Sequence, residues 1–307
     1  MLDLIGNTPL VELKKISAEL NGVSIHAKAE FRNPSGSVKD RAAKAMLLDG
    51  IESGKLCPGK TIIDASSGNT GIAYAILGAI LGYPVRIYLP ANASWERKAF
   101  IACCGTAVVE TNALESSDGA YLAAKAEAES QADKYFWPDQ YNNDANWKAH
   151  YHTTGVEIWE QTEGKITHFI TGMGTSGTFM GTSRRLKEYN KSIEAVAVQP
   201  DSPFHGIEGT KHMASSIKPG FYDETFPDRF VMVNTEAAYA MTRRLVRDEG
   251  LFVGISSGAN VQAALDLGRT LPPGSLIVTM LCDSGFRYLS DAFWNIPVEL
   301  KGHGEGI

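Results

Sequence analysis

A rhythm of short runs that lack a polar face constrains this chain more than any other feature. TIIDAS (61–66), VRIYLP (85–90), TAVVET (106–111), THFITG (167–172), IEAVAVQP (193–200) and SLIVTML (275–281) are rich in aliphatic and β-branched residues, and the first four lead into helical stretches. A strand with one wet face alternates apolar and polar residues. Strands apolar on both faces belong to a parallel sheet covered by helices on both sides. The runs form two groups, separated near WPDQYNNDANWK (137–148). The predicted fold class is therefore α/β, built as two three-layer domains with mainly parallel sheets.

Composition narrows the functions available. The chain has 307 residues, enough for two domains, and its 44% hydrophobic and 21% charged content is that of a globular protein. A formal net charge of -6 with 29 scattered Lys and Arg residues excludes nucleic acid as the main partner. MLDLIGNTPL lacks a basic n-region and meets Pro9 early, so no signal peptide is expected. In residues 71–90, Pro84 and Arg86 leave about 15 apolar residues where about 20 are needed, so no membrane span is predicted. Cys57, Cys103, Cys104 and Cys282 show no C-x-x-C pair or metal-ligand spacing, and read as buried or idle thiols in a reducing cytoplasm.

Three uncharged loops rich in small hydroxyls stand where helices begin: SSGNTG (66–71), GMGTSGT (172–178) and GISSGA (254–259). In open parallel sheets, ligands bind at the carboxyl ends of the strands. GMGTSGT contains G-x-G-x-x-G through Gly172, Gly174 and Gly177. A dinucleotide site also wants an acidic residue about 20 positions later. Asp201 lies 24 residues beyond Gly177, past the next strand, and the loop is in mid-chain. The hydroxyls of Thr175, Ser176 and Thr178 with the backbone N–H groups instead suit a single phosphate at a helix N-terminus. The reactive partner comes from FRNPSGSVKDRAA (31–43), where Pro34 and Gly36 make a turn, Ser37 is the expected N-cap, and Lys39 and Asp40 fall in the first helical turn. The positive end of the helix dipole should lower the Lys39 pKa, as a Schiff-base lysine requires.

PSGSVKDR, SSGNTG, GTSGT and GISSGA in that order, framed by IGNTPL and RYLS (287–290), resemble the fold type II pyridoxal-phosphate enzymes, and within them the cysteine synthases (O-acetylserine sulfhydrylases), over about residues 4–292. The resemblance implies a tryptophan synthase β-like arrangement and a homodimer. Its smaller mobile domain would be 37–146, its larger domain 1–36 with 147–295, and 296–307 a tail. It implies pyridoxal 5'-phosphate as cofactor, with Lys39 as its covalent anchor and as the group that moves protons at the substrate Cα. Asn69 would meet the cofactor's 3′-oxygen, Gly174, Thr175, Ser176, Gly177 and Thr178 its phosphate, and Ser256 its pyridine nitrogen. Ser66, Ser67, Gly68 and Thr70, with Gln140, would hold the substrate carboxylate. A serine at the ring nitrogen leaves it largely neutral, which favours expulsion of a β-leaving group over transamination.

The implied reaction is a β-replacement giving L-cysteine from an O-activated serine, O-acetylserine favoured, and sulfide. O-phosphoserine sulfhydrylase, cystathionine β-synthase-like, cysteine desulfhydrase and dehydratase activities stay open on the same residues. So does an inactive family member that serves as a binding partner, for instance of serine acetyltransferase. Asp283 stands where many relatives carry a second serine, and is expected to orient neighbours or face water unless it replaces Ser256 at the ring. Lys211 reads as a surface group, or, with His212, as a counter-charge for an anionic leaving group. The chain ends in GEGI. In this family serine acetyltransferase offers a tail ending in isoleucine, so Ile307 is weighed as a self-ligand against a loose end, which is preferred.

Overall fold

The computed structural model describes residues 1–66 and 68–294. Ser67 and the tail carrying Ile307 lie outside the described residues. The strands are β1 (Leu10–Glu12), β2 (Ser24–Ala29), β3 (Thr61–Ala65), β4 (Val85–Pro90), β5 (Ala107–Thr111), β6 (Tyr135–Phe136), β7 (His168–Gly172), β8 (Glu194–Pro200), β9 (Arg229–Val233) and β10 (Leu276–Leu281). The helices are α1 (Lys14–Ser17), α2 (Lys39–Glu52), α3 (Asn69–Leu81), α4 (Trp95–Cys103), α5 (Ser116–Ser130), α6 (Asp144–His152), α7 (Thr154–Gln161), α8 (Gly177–Tyr189), α9 (Thr235–Glu249) and α10 (Ile255–Gly268). No helix among the described residues is long and apolar enough to cross a membrane.

Two sheets result. One has the order β1-β2-β10-β7-β8-β9 and the other β5-β4-β3-β6. Among the described strands, only the β1–β2 pair is antiparallel. Adjacent residues of one strand enter different cores, as the pleat requires. Ile170 packs into the core on one face of the larger sheet and Phe169 into the core on the other. Ile62 and Ile63 divide in the same way between the two cores of the smaller sheet. This double burial is why the strands read as continuous apolar runs. All six predicted strands are present. The short β1 and β6 were not predicted, nor were SIHAKA and RFVMV as β2 and β9, because a buried Lys28 interrupts β2 and a mostly exposed edge flattens the pattern of β9.

Lys28 belongs to a buried ionic cluster that joins four parts of the chain. Its Nζ lies 2.6 Å from Glu157 Oε2 and donates to the Thr8 carbonyl at 2.6 Å. Arg41, on α2, donates to Glu30 through Nε at 2.8 Å and Nη2 at 2.9 Å, and to Glu157 through Nη1 at 2.6 Å and Nη2 at 2.8 Å. The Thr8 hydroxyl closes the set by donating to Glu30 Oε1 at 2.6 Å. Two cations and two carboxylates cancel, and the fork geometry of arginine satisfies both acids. Burial pushes the Glu157 carboxyl up, but Arg41 and Lys28 overcome it and hold it at about 2. Removing one partner of a buried pair costs about 3–5 kcal/mol. Glu157→Gln is expected to lose stability in that range, read as a shift of the urea midpoint. The folded pKa lies below the ordinary 4.5, so the Glu157 contribution is complete above pH 4.5 and is lost as pH falls toward about 2. That acid limb should flatten in the variant.

Candidate active site

Lys39 is the first residue of α2. Its helix begins one residue later than an N-cap at Ser37 requires: Val38 is the cap, and the Ser37 hydroxyl accepts the Lys39 N–H at 3.3 Å. A short bridge fixes this start, since Ser37 pairs with Asp283 and the Val38 N–H donates to the Cys282 carbonyl at 2.8 Å. Asp40 ties down the preceding turn through the Ser35 N–H, at 2.7 Å, and the Ser35 hydroxyl. Burial is the largest influence on the Lys39 amine and lowers its pKa against the opposing pull of Cys282 and Asp283. The lowering is thus driven by desolvation.

GMGTSGT leaves the carboxyl end of β7 and enters α8. Ser176 is the N-cap in the left-handed region, with φ 65°, uncommon for a residue with a Cβ. Its hydroxyl is buried with no hydrogen-bond partner. Asn146 Nδ2 donates to Thr175 Oγ1 at 3.1 Å, and Thr178 Oγ1 meets His150 Nε2 at 3.2 Å. Burial holds that imidazole neutral, with its pKa at about 3. Gly177 must be glycine, because a Cβ there would enter the Asn146 amide. Gly174, Thr175, Ser176, Gly177 and Thr178 share a narrow cleft with Lys39, Asn69, Ser256 and Cys282.

The cleft opens into a cavity of about 310 Å³ whose wall also includes Lys39 and Asn69. Here Ser66 does more local work than the sequence implied: its hydroxyl accepts the Gly68 and Gly71 N–H groups, both at 2.9 Å, and so shapes the entry to α3. Gly68 has φ 152°, a conformation closed to other residues. Thr70 Oγ1 donates to Gln140 Oε1 at 3.0 Å, and Gln140 Nε2 donates to the Ala65 carbonyl at 2.6 Å. These two residues, 70 positions apart, therefore meet on one wall.

Two expectations need correction. Lys211 is not a surface group: it is 8% exposed and its Nζ lies 2.6 Å from Asp118 Oδ1. Of the roles expected for Asp283, facing water is excluded and orienting its neighbours is met. It is fully buried, accepting from Asn69 Nδ2 at 2.7 Å and from the Tyr288 hydroxyl at 2.6 Å. Sequence reasoning also missed Arg97, which lines the cavity in an ion pair with Glu208 and lies 5.3 Å from the centroid of the Tyr288 ring. It missed Asn146 and His150, which lacked any spacing signal, whereas the N-terminal ERK of α4 offered only an ordinary charged turn.

The pyridoxal-phosphate-dependent enzyme family pattern matches residues 1–283. Cysteine synthase of Aquifex aeolicus is 51% identical over 300 residues, covering 96% of this chain and 92% of its own. A cysteine synthase of Entamoeba histolytica of known structure superposes with a TM-score of 0.90 at 35% identity, covering 97% of this chain and 91% of its own. An O-acetylserine-dependent cystathionine β-synthase of Helicobacter pylori gives 0.90 at 34% identity, over 95% of this chain and 97% of its own. The chain belongs to the cysteine synthase family of pyridoxal-phosphate-dependent enzymes. Its fold is that family's α/β fold, and pyridoxal phosphate is its cofactor. The residues present fit the group: the orphaned Ser176 hydroxyl and the α8 N-terminus suit a phosphate, and a half-buried amine with lowered pKa sits at the other end of the same cleft. In this cysteine synthase family member, Gly177→Ala would push the Asn146 amide off Thr175. Cofactor affinity is expected to fall at least about tenfold, about 1.4 kcal/mol, in a fluorescence titration of the apo-protein.

Proposed function

We propose that this enzyme forms L-cysteine by β-replacement on O-acetyl-L-serine: the Cβ–O bond breaks, acetate leaves with the bonding pair, and sulfide supplies the new Cβ–S bond. Pyridoxal phosphate, once bound, supplies an aldehyde for an amine linkage and a ring that takes up charge from the substrate Cα. The observation that carries the reading is the placement of Lys39 in the walls of both the cofactor cleft and the substrate cavity. Its lowered pKa suits it to anchor the cofactor and to carry the Cα proton. The GTSGT loop holds the phosphate, Asn69 the 3′-oxygen and Ser256 the ring nitrogen. Ser66, Gly68, Thr70 and Gln140, together with Ser67, bind the substrate carboxylate at the α3 N-terminus. Ser256 lines the cofactor cleft and Asp283 does not, so a neutral hydroxyl is the group offered to the ring, which favours elimination at Cβ.

The choice of acetyl over phosphoryl rests on charge. Among the described residues, the Lys and Arg side chains of the cavity wall apart from Lys39 are Arg97 and Lys211, each already paired with a carboxylate. A phosphate dianion would have to displace Glu208 or Asp118 to gain a counter-charge. Both pairs connect the smaller-sheet unit, residues 37–146, to the larger one, and support closure of the smaller unit over the substrate with exclusion of water. The family resemblance further supports a homodimer and serine acetyltransferase as a partner in a reducing cytoplasm.

The purified holoenzyme should change its visible absorbance on adding O-acetylserine and recover on adding sulfide. O-phosphoserine should react at least about tenfold more slowly, about 1.4 kcal/mol in the barrier. Lys211→Ala should depress turnover of both donors by the same factor, since it breaks a closure contact. No response to O-acetylserine would overturn the reading. Homocysteine in place of sulfide tests whether the cystathionine-forming chemistry named for the Helicobacter protein extends to this chain.

A further inference from the structure

We infer that Asp283 and Arg287 are positioning residues for Asn69, locking its amide in one orientation so that a single N–H remains for the cofactor. The inference rests on the proposed contact between Asn69 and the cofactor's 3′-oxygen.

The lock follows from donor and acceptor chemistry. Asn69 Nδ2 donates to Asp283 Oδ2 at 2.7 Å, and Arg287 Nη1 donates to Asn69 Oδ1. A carboxylate only accepts and a guanidinium only donates. Turning the amide over would set oxygen against carboxylate and NH₂ against guanidinium, two repulsive contacts in a buried place. Each partner is held from elsewhere. The Tyr288 hydroxyl donates to the same Asp283 oxygen at 2.6 Å, and the Gly254 N–H donates to the Asp283 carbonyl at 3.1 Å. Arg287 Nη2 donates to the carbonyl of Ser35, in the turn that precedes Lys39. One of the two Asn69 N–H groups is therefore spent, and the side chain borders both the cofactor cleft and the substrate cavity, so the second is what it offers there. Residues 282–288 thus hold the start of the Lys39 helix and the head group of Asn69 together, which makes the terminal CDSGFRYLS stretch part of the cofactor site.

The test is a double-mutant cycle on protein stripped of cofactor and reloaded with pyridoxal phosphate, reading its dissociation constant and visible absorption maximum. Asn69→Ala and Asp283→Ala are each expected to weaken binding about tenfold and to move the maximum, while the double variant is no worse than Asn69→Ala. Asp283→Asn keeps an acceptor and should restore most of both readouts. Tyr288→Phe, which takes the other donor from Asp283, should lower the melting temperature without moving the spectrum. Should Asp283→Ala not fold, Arg287→Met enters the same cycle from the oxygen side, with Arg287→Lys as its rescue. Additive effects in the cycle, or wild-type affinity and spectrum in Asp283→Ala, overturn the lock and leave the cofactor placement standing. Wild-type affinity and spectrum in Asn69→Ala overturn the placement and the lock with it.

Discussion

The start of the Lys39 helix depends on four charges largely withdrawn from water. Lys28 and Glu30 come from and just after β2, Arg41 from α2 and Glu157 from α7, and the Thr8 segment crosses over them. Leaving any one unmatched in a low-dielectric interior is costly, so the four segments must arrive together. Arg41 lies two residues after Lys39 on the same helix. The cluster therefore fixes the start of that helix from one side, while the Val38–Cys282 hydrogen bond fixes it from the other. A lysine held in this way stays desolvated, which is the condition for its lowered pKa.

The cavity follows the same electroneutral logic with a different purpose. Its wall brings cations and carboxylates from opposite sheets into contact, Arg97 with Glu208 and Lys211 with Asp118. Ser290 adds a polar clasp, donating through its N–H and hydroxyl to Glu96 on α4 at 2.8 and 2.9 Å. The two ion pairs are long-range, and each joins a buried cation to a carboxylate that is partly exposed. A buried ionic core holds the Lys39 helix, and pairs with one buried and one partly exposed member line the cavity.

Much of the architecture was legible because burial on both faces leaves a direct trace. A run such as FITG or AVAVQ carries its environment in its composition. The hydroxyl-rich loop before α8 was legible as a candidate anion cup for a related reason: Gly177 and the three hydroxyls around it suit an anion at a helix N-terminus. Lys39 was legible as misplaced charge. By contrast, Lys28 sat inside an apolar strand as an apparent defect, and Lys211 passed for an ordinary surface lysine. Their partners Glu157 and Asp118 lie 129 and 93 residues away, and local sequence holds no sign of a pair that distant.

The sequence by itself determined the layered α/β plan, the hydroxyl-rich loops where helices begin and the place of Lys39 in a first helical turn, because these depend on periodicity and residue type within a few turns of chain. Only the tertiary structure decided which charges are spent on each other and which polar groups are left over. It turned Asp283 toward an asparagine and a tyrosine, gave Ser66 a backbone-capping task, and left the Ser176 hydroxyl without a partner. The physical reason is that hydrogen bonds and ion pairs in an interior are settled by three-dimensional neighbours drawn from the whole chain, and satisfying one buried group removes its partner from every other use.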